Sequence, residues 1–355
     1  MTIERKKIYY VEVLRAIAAL TVVLLHLSSV NWYGHIGSAN WIIFTVIAGF
    51  SRFCVPVFFM MSGVLFLQKE KEITIKKLYT KNIFRMIVFL VFWALLYQCY
   101  HLWKGHAEGN ILWMAVKNII KGDVSVHLWF VYAIVGIYLL VPILKVFTDH
   151  ADRKQLLYAI LVLFTITSII PVLRRVSWVG MQAITVNFDK LGISGLGSYV
   201  GYFLLGHYLH TYDISKKGRT VIYGLGILGA AVTILMTLYR CMTTNTCDES
   251  YFSYVMPNVV LWSMAIFVFF KYRCETCRWL REGKMAKAIQ YLADISLGIY
   301  GIHLMVIFVL QDLGLSTLSF HAGLSVPLLY VLVVGISVAI VSVLKKIPLV
   351  KDYVC

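Results

Sequence analysis

The chain has 355 residues, 60% of them hydrophobic and only 14% charged, with a formal net charge of +16. Soluble domains carry roughly a quarter charged residues, and a mean hydropathy of +0.79 over this length excludes a water-facing surface. The composition predicts one all-α, polytopic membrane bundle over residues 1–355, because open irregular backbone cannot be satisfied in lipid.

A membrane span needs about 20 apolar residues. In chain order such runs are expected at 8–30, 41–67, 83–103, 126–147, 156–173, 197–210, 220–239, 254–270, 289–310 and 323–344, about ten transmembrane helices. The first run contains Glu12 and Arg15 and lacks a small-residue cleavage site. It reads as a first span and not as a removable signal. The second run is long and is expected to tilt or break near Pro56, and the sixth is short and Gly-rich. Two outer loops are long, 104–125 and 174–196. The first places Ile111, Leu112, Met114, Ala115, Ile119 and Ile120 beside Lys117 and Lys121, a pattern that suits a helix lying on the membrane surface.

The positive charge is explained by its position. Lys and Arg number 24 in the N-terminus, loops 68–85, 145–154, 211–219 and 271–288, and the C-terminal tail, against 7 in the opposite loops. The remaining two, Arg15 and Arg52, fall inside spans. This asymmetry predicts that both termini are cytoplasmic, and it removes the reason to invoke nucleic acid. No inverted repeat is evident. Of the seven cysteines, Cys241 and Cys247 share an outer loop and are close enough in sequence for one local disulfide. Cys274 and Cys277 form a CxxC without the second pair that a zinc site requires, so no metal is expected.

Ionisable groups at bilayer depth cost about 2.5–3.5 kcal/mol each on insertion scales and usually face a protein interior or a water-filled cavity. Arg15 and His26 are eleven residues apart. At about 100° and 1.5 Å per residue they share one face of the first span, about 16 Å apart along its axis. Glu12 lies one turn before Arg15 and can pair with it. His26 reads either as a buried histidine holding a hydrogen-bond partner or as a general base. Arg15 reads either as a side chain snorkelling to the inner interface or as the fixed cation for a phosphate or carboxylate. Arg52, His127, Asp294 and His303 are further polar groups within apolar runs. No phosphate-binding loop, Ser-His-Asp signature or HExxH pattern occurs.

Around these residues the chain resembles the acyltransferase family 3 of membrane proteins. The likeness rests on Arg15 and His26 in the first span and on the segment from Arg52 through Ser62 and Gly63. It continues with His127-Leu-Trp-Phe followed by Tyr138-Leu-Leu-Val-Pro142, the Tyr-Phe-Leu-Leu-Gly element at 202–206, and Ser-Leu-Gly-Ile-Tyr-x-x-His at 296–303. The resemblance implies transfer of an acyl group, usually acetyl, from cytoplasmic acetyl-CoA to a hydroxyl of an extracytoplasmic glycan or lipid-linked sugar. The protein would sit in the cell membrane, of the bacterial inner-membrane type. It implies that His26 and Arg15 are the catalytic pair, with Glu12, Arg52, Ser62, His127 and His303 in support. Donor binding falls to Lys81 and Arg85, with Lys76 and Lys77 nearby. Many members begin the third span with Arg-x-x-Arg; here it reads Asn82-Ile-Phe-Arg85 after Lys81. Some relatives are associated with export or resistance, so a small-molecule transporter or sensor on the same scaffold is the rival reading.

Overall fold

The computed structural model describes residues 8–106, 109–173, 199–348 and 350–355. Regular structure among these residues is helical throughout. The first helix, α1 (Tyr9–Ser29), contains no Gly or Pro, and the hydroxyls of Thr21, Ser28 and Ser29 donate to carbonyls of their own helix at 2.8 Å. These three hydroxyls are thereby satisfied without water. The second apolar run is broken into α2 (Ala39–Ser51) and α3 (Cys54–Phe66). Pro56 explains the break: it has no N–H to give the Arg52 carbonyl, and its ring crowds that carbonyl. Arg52 is left at the junction.

Helix α4 (Ile75–Trp103) contains a π-helical turn at Leu78–Ile83. It is followed by α5 (Ile111–Lys121), capped by Asn110 and ended by Gly122 at φ 72°. Ala115 faces the protein, while Leu112, Trp113 and Ile120 are exposed, which is the amphipathic helix expected in 104–125. Helix α6 (Trp129–His150) and helix α7 (Arg153–Leu173) are joined by two residues, with α7 opened by an Asp152/Gln155 capping box. The chain then forms α8 (Val200–Thr211), α9 (Lys216–Thr244), α10 (Pro257–Thr276), α11 (Gly283–Asp294), α12 (Ser296–Asp312), α13 (Ala322–Leu344) and a final turn, α14 (Val350–Tyr353).

Among the described residues eight helical segments are long and apolar enough to cross a membrane, and a ninth is counted if α11 and α12, bent by 71°, form one span. Two expectations change. The run 289–310 starts in the amphipathic α11 and turns sharply at Ile295 before α12 begins. The run 197–210 becomes α8, a helix of 12 residues, about 18 Å long against a hydrocarbon core of about 30 Å. Every residue from Val200 to Leu209 is buried, so its apolar character serves protein packing. Loop 174–196 lies outside the described residues. Cys241 and Cys247 are both free thiols.

Helix α1 is central and touches α2, α3, α10, α11, α12 and α13. The closest helix pairs meet through glycine. A Cβ on Gly63 of α3 would lie 1.8 Å from the Phe203 carbonyl oxygen of α8, and one on Gly206 would lie 2.1 Å from the Met60 carbonyl oxygen. Lys271 of α10, itself buried, donates to the carbonyls of Leu209 (2.8 Å) and His210 (3.2 Å) and lies 3.4 Å from Asp213. It thus closes the C-terminal end of α8 with a cation.

Candidate active site

Three imidazoles from distant parts of the chain converge. His26 of α1 lies 5.1 Å, ring to ring, from His303 of α12 and 6.0 Å from His127 just before α6, and the latter two are 5.1 Å apart. His127 and His303 are buried, while His26 keeps accessible surface. The Nδ1 of His303 faces the carbonyls of Ile299 (3.1 Å) and Tyr300 (2.8 Å). Carbonyls only accept, so Nδ1 carries the proton and the lone pair of the neutral ring is on Nε2. Among the described residues that Nε2 has no partner, and neither does Nε2 of His127, whose Nδ1 is 3.1 Å from Ser125 Oγ. Tyr300 donates to the His127 carbonyl. Tyr97 donates to the Gly301 carbonyl at 3.1 Å and accepts from the Met305 N–H at 3.1 Å, so the backbone around His303 is held on both sides. No group of three His, Cys, Asp or Glu among the described residues could hold a metal ion.

Arg52, at the Pro56 break, lies near this cluster. Its guanidinium lies 4.3 Å from the Phe252 ring centroid and 5.6 Å from that of Tyr254, close enough to act electrostatically on His26. Its Nε is enclosed without a partner among the described residues. From His127 a circuit of rings leads back to Arg52. It passes Tyr300 (5.2 Å), Phe130 (5.9 Å), Phe59 (4.8 Å), Tyr199 (4.5 Å), Trp129 (5.6 Å) and Tyr254 (5.7 Å), each distance measured from the preceding ring. Phe130, Tyr199, Trp129 and Tyr254 all retain accessible surface. These half-buried rings present amphipathic faces near the imidazole cluster.

A second polar cluster occupies the opposite end of the same face of α1. Arg15 is half-buried and donates to Glu12 at 3.1 Å. Arg85 and Arg15 act on one another and on Tyr138, which stands beside Ser62. Arg85 also donates to the Cys355 carbonyl at 2.6 Å. Between the two clusters α1 presents the buried Ala19 and Val22.

Of the residues singled out in the sequence, His26, His127, His303 and Arg52 come together around one site. Glu12, Arg15, Ser62 and Arg85 come together around the other. Lys81, like Lys76 and Lys77, is exposed on the π-helical turn or just before it. The aromatic circuit was not foreseen, although Trp129, Phe130 and Tyr300 stand inside the segments already noted. An aromatic residue in an apolar run carries no signal of its own.

The fold and site define a membrane-embedded helical bundle with a buried polar centre. Residues 8–346 match the family model described as an acyltransferase domain, and the chain belongs to this family, acyltransferase 3. No curated protein and no solved structure matches the chain.

Proposed function

We propose that this protein is a membrane O-acyltransferase that takes an acyl group, acetyl in the simplest case, from cytoplasmic acyl-CoA. It passes that group to a hydroxyl of an extracytoplasmic glycan or lipid-linked sugar, with both termini cytoplasmic as the distribution of Lys and Arg favours. The reading is carried by one observation: a single face of α1 presents Arg15, near Arg85 of α4, at one end and His26, beside His127 and His303, at the other.

The cationic end receives the phosphates of CoA, with Lys76, Lys77 and Lys81 as an outer field of positive charge. His26, which keeps accessible surface, removes the proton from the acceptor hydroxyl as its oxygen attacks the thioester carbonyl. Arg52 faces the oxyanion that develops. Collapse of the tetrahedral intermediate breaks the C–S bond, and the imidazolium returns its proton to the departing thiolate. His303, whose Nε2 lone pair is fixed by its Nδ1 contacts, is a neighbouring acceptor for that proton. The half-buried aromatic rings give the sugar a surface to stack on.

The test is transfer from labelled acetyl-CoA by full-length protein in vesicles. His26→Ala should insert normally and lose at least about 100-fold in rate, the usual contribution of a positioned base. Undiminished transfer by that variant would refute the assignment. Solute flux without acyl-CoA would favour the transporter reading instead.

A further inference from the structure

Helices α6 and α7 are consecutive and joined only by Ala151 and Asp152, yet they diverge. Helix α6 packs on α3 and α4, whereas α7 packs on α8. The gap between them is a groove of about 1070 Å³. Leu140, Ile143 and Phe147 form one wall and Val162 and Leu163 the other, with Leu204 of α8 among the lining residues. Among the described residues nothing covers it. One water occupies about 30 Å³, so the space is far larger than a hydration site. It also lies between two segments that are long and apolar enough to cross the membrane, where water is absent and hydrocarbon is the available filler.

The groove is polar at one end only. His150, Lys154, Gln155 and Tyr158 all lie at the α6–α7 junction. The carboxylates there are already engaged: Asp149 pairs with Lys145, and Asp152 accepts from the Gln155 N–H at 2.8 Å. The Gln155 carbonyl oxygen accepts from the Asp152 N–H at 2.9 Å, which leaves its amide N–H2 as a donor. Arg153 is held against Tyr208 and Tyr212. Lys154 is exposed and has no carboxylate partner among the described residues. The mouth thus offers a cation and neutral donors, with an apolar trench behind them.

We propose that this groove is a binding site for one phospholipid with an anionic headgroup, taken from the leaflet on the Lys- and Arg-rich side. The phosphate sits at Lys154 and Gln155, and one acyl chain lies between α6 and α7 against Leu204. Charge complementarity at the mouth selects this occupant over a zwitterionic lipid or a peptide. The lipid also supports α8, whose Gly206 packs on α3 and whose position therefore bears on Ser62. The inference does not depend on acyl transfer.

The test is native mass spectrometry of the full-length protein purified in mild detergent and supplied with equimolar phosphatidylglycerol and phosphatidylcholine. One retained phosphatidylglycerol per chain is expected. Lys154→Glu should weaken its retention about tenfold or more, and Ala159→Trp, which fills the groove with a ring, should abolish it. Lys154 is exposed, so the first variant leaves packing intact. Equal retention of both lipids, no retained lipid, or retention unchanged in both variants would overturn the site.

Discussion

Replacing Gly63 or Gly206 by alanine sets two known effects against each other. Alanine in a helix interior is favoured over glycine by about 1 kcal/mol, so an unobstructed site would gain stability. At Gly63 the new Cβ would lie 1.8 Å from the Phe203 carbonyl oxygen, and at Gly206 2.1 Å from that of Met60, whereas real Cβ contacts begin near 3.0 Å. Helices α3 and α8 must therefore part by about 1.2 Å and 0.9 Å respectively, because the obstacle is backbone and cannot rotate away. A gap of about 0.5–1 Å forfeits a quarter to a half of each dispersion contact along the seam, and overpacking of a core costs about 1–3 kcal/mol. The clash should offset or outweigh the propensity gain, leaving each variant up to about 2 kcal/mol less stable. The double variant should lose less than the sum, since one separation relieves both clashes. Thermal unfolding in detergent measures this against Gly136→Ala and Gly335→Ala, where a Cβ meets nothing within 4 Å and stability should hold or rise. If the Gly63 and Gly206 variants match those controls, the close approach of α3 and α8 is wrong.

Arg85→Gln should raise KM for acyl-CoA about 10–100-fold, the worth of a charged hydrogen bond, with a much smaller effect on kcat; an unchanged KM would remove Arg85 from donor binding. Lys271→Met leaves the Leu209 and His210 carbonyls without their donor and should lower stability by about 1–3 kcal/mol, read from the apparent Tm. In the loop that follows α9, burial pushes the Asp248 carboxyl up, but hydrogen bonds from Ser250 and the Arg240 guanidinium outweigh it and hold its pKa below the usual carboxylate range. A depressed carboxylate stabilises the fold above its ordinary value, about 3.9, and that contribution disappears as pH falls through the folded value. Loop stability followed by hydrogen exchange should drop on this acid limb, and Asp248→Asn should flatten it.

Helical class, most of the membrane segments and the shared face of Arg15 and His26 were legible in the sequence, because each depends on local quantities. Hydropathy is summed over neighbouring residues, and a period of 3.6 fixes angular register along one helix whatever surrounds it. The break at Arg52 was legible for the same reason, since Pro56 acts on the carbonyl four residues before it. Other features required the assembled bundle. Helix α8 reads as a span because burial against protein and burial against lipid select the same apolar residues; only its length and its neighbours separate the two. The bend between α11 and α12 leaves the apolar run continuous, so composition alone does not reveal it. The meeting of His26, His127 and His303 depends on how α1, α6 and α12 are placed around one another. That placement is set by close contacts such as Gly63 on Phe203 and Gly301 on Trp93. Single residues placed the polar groups along their helices, and long-range packing decided which of them share a site.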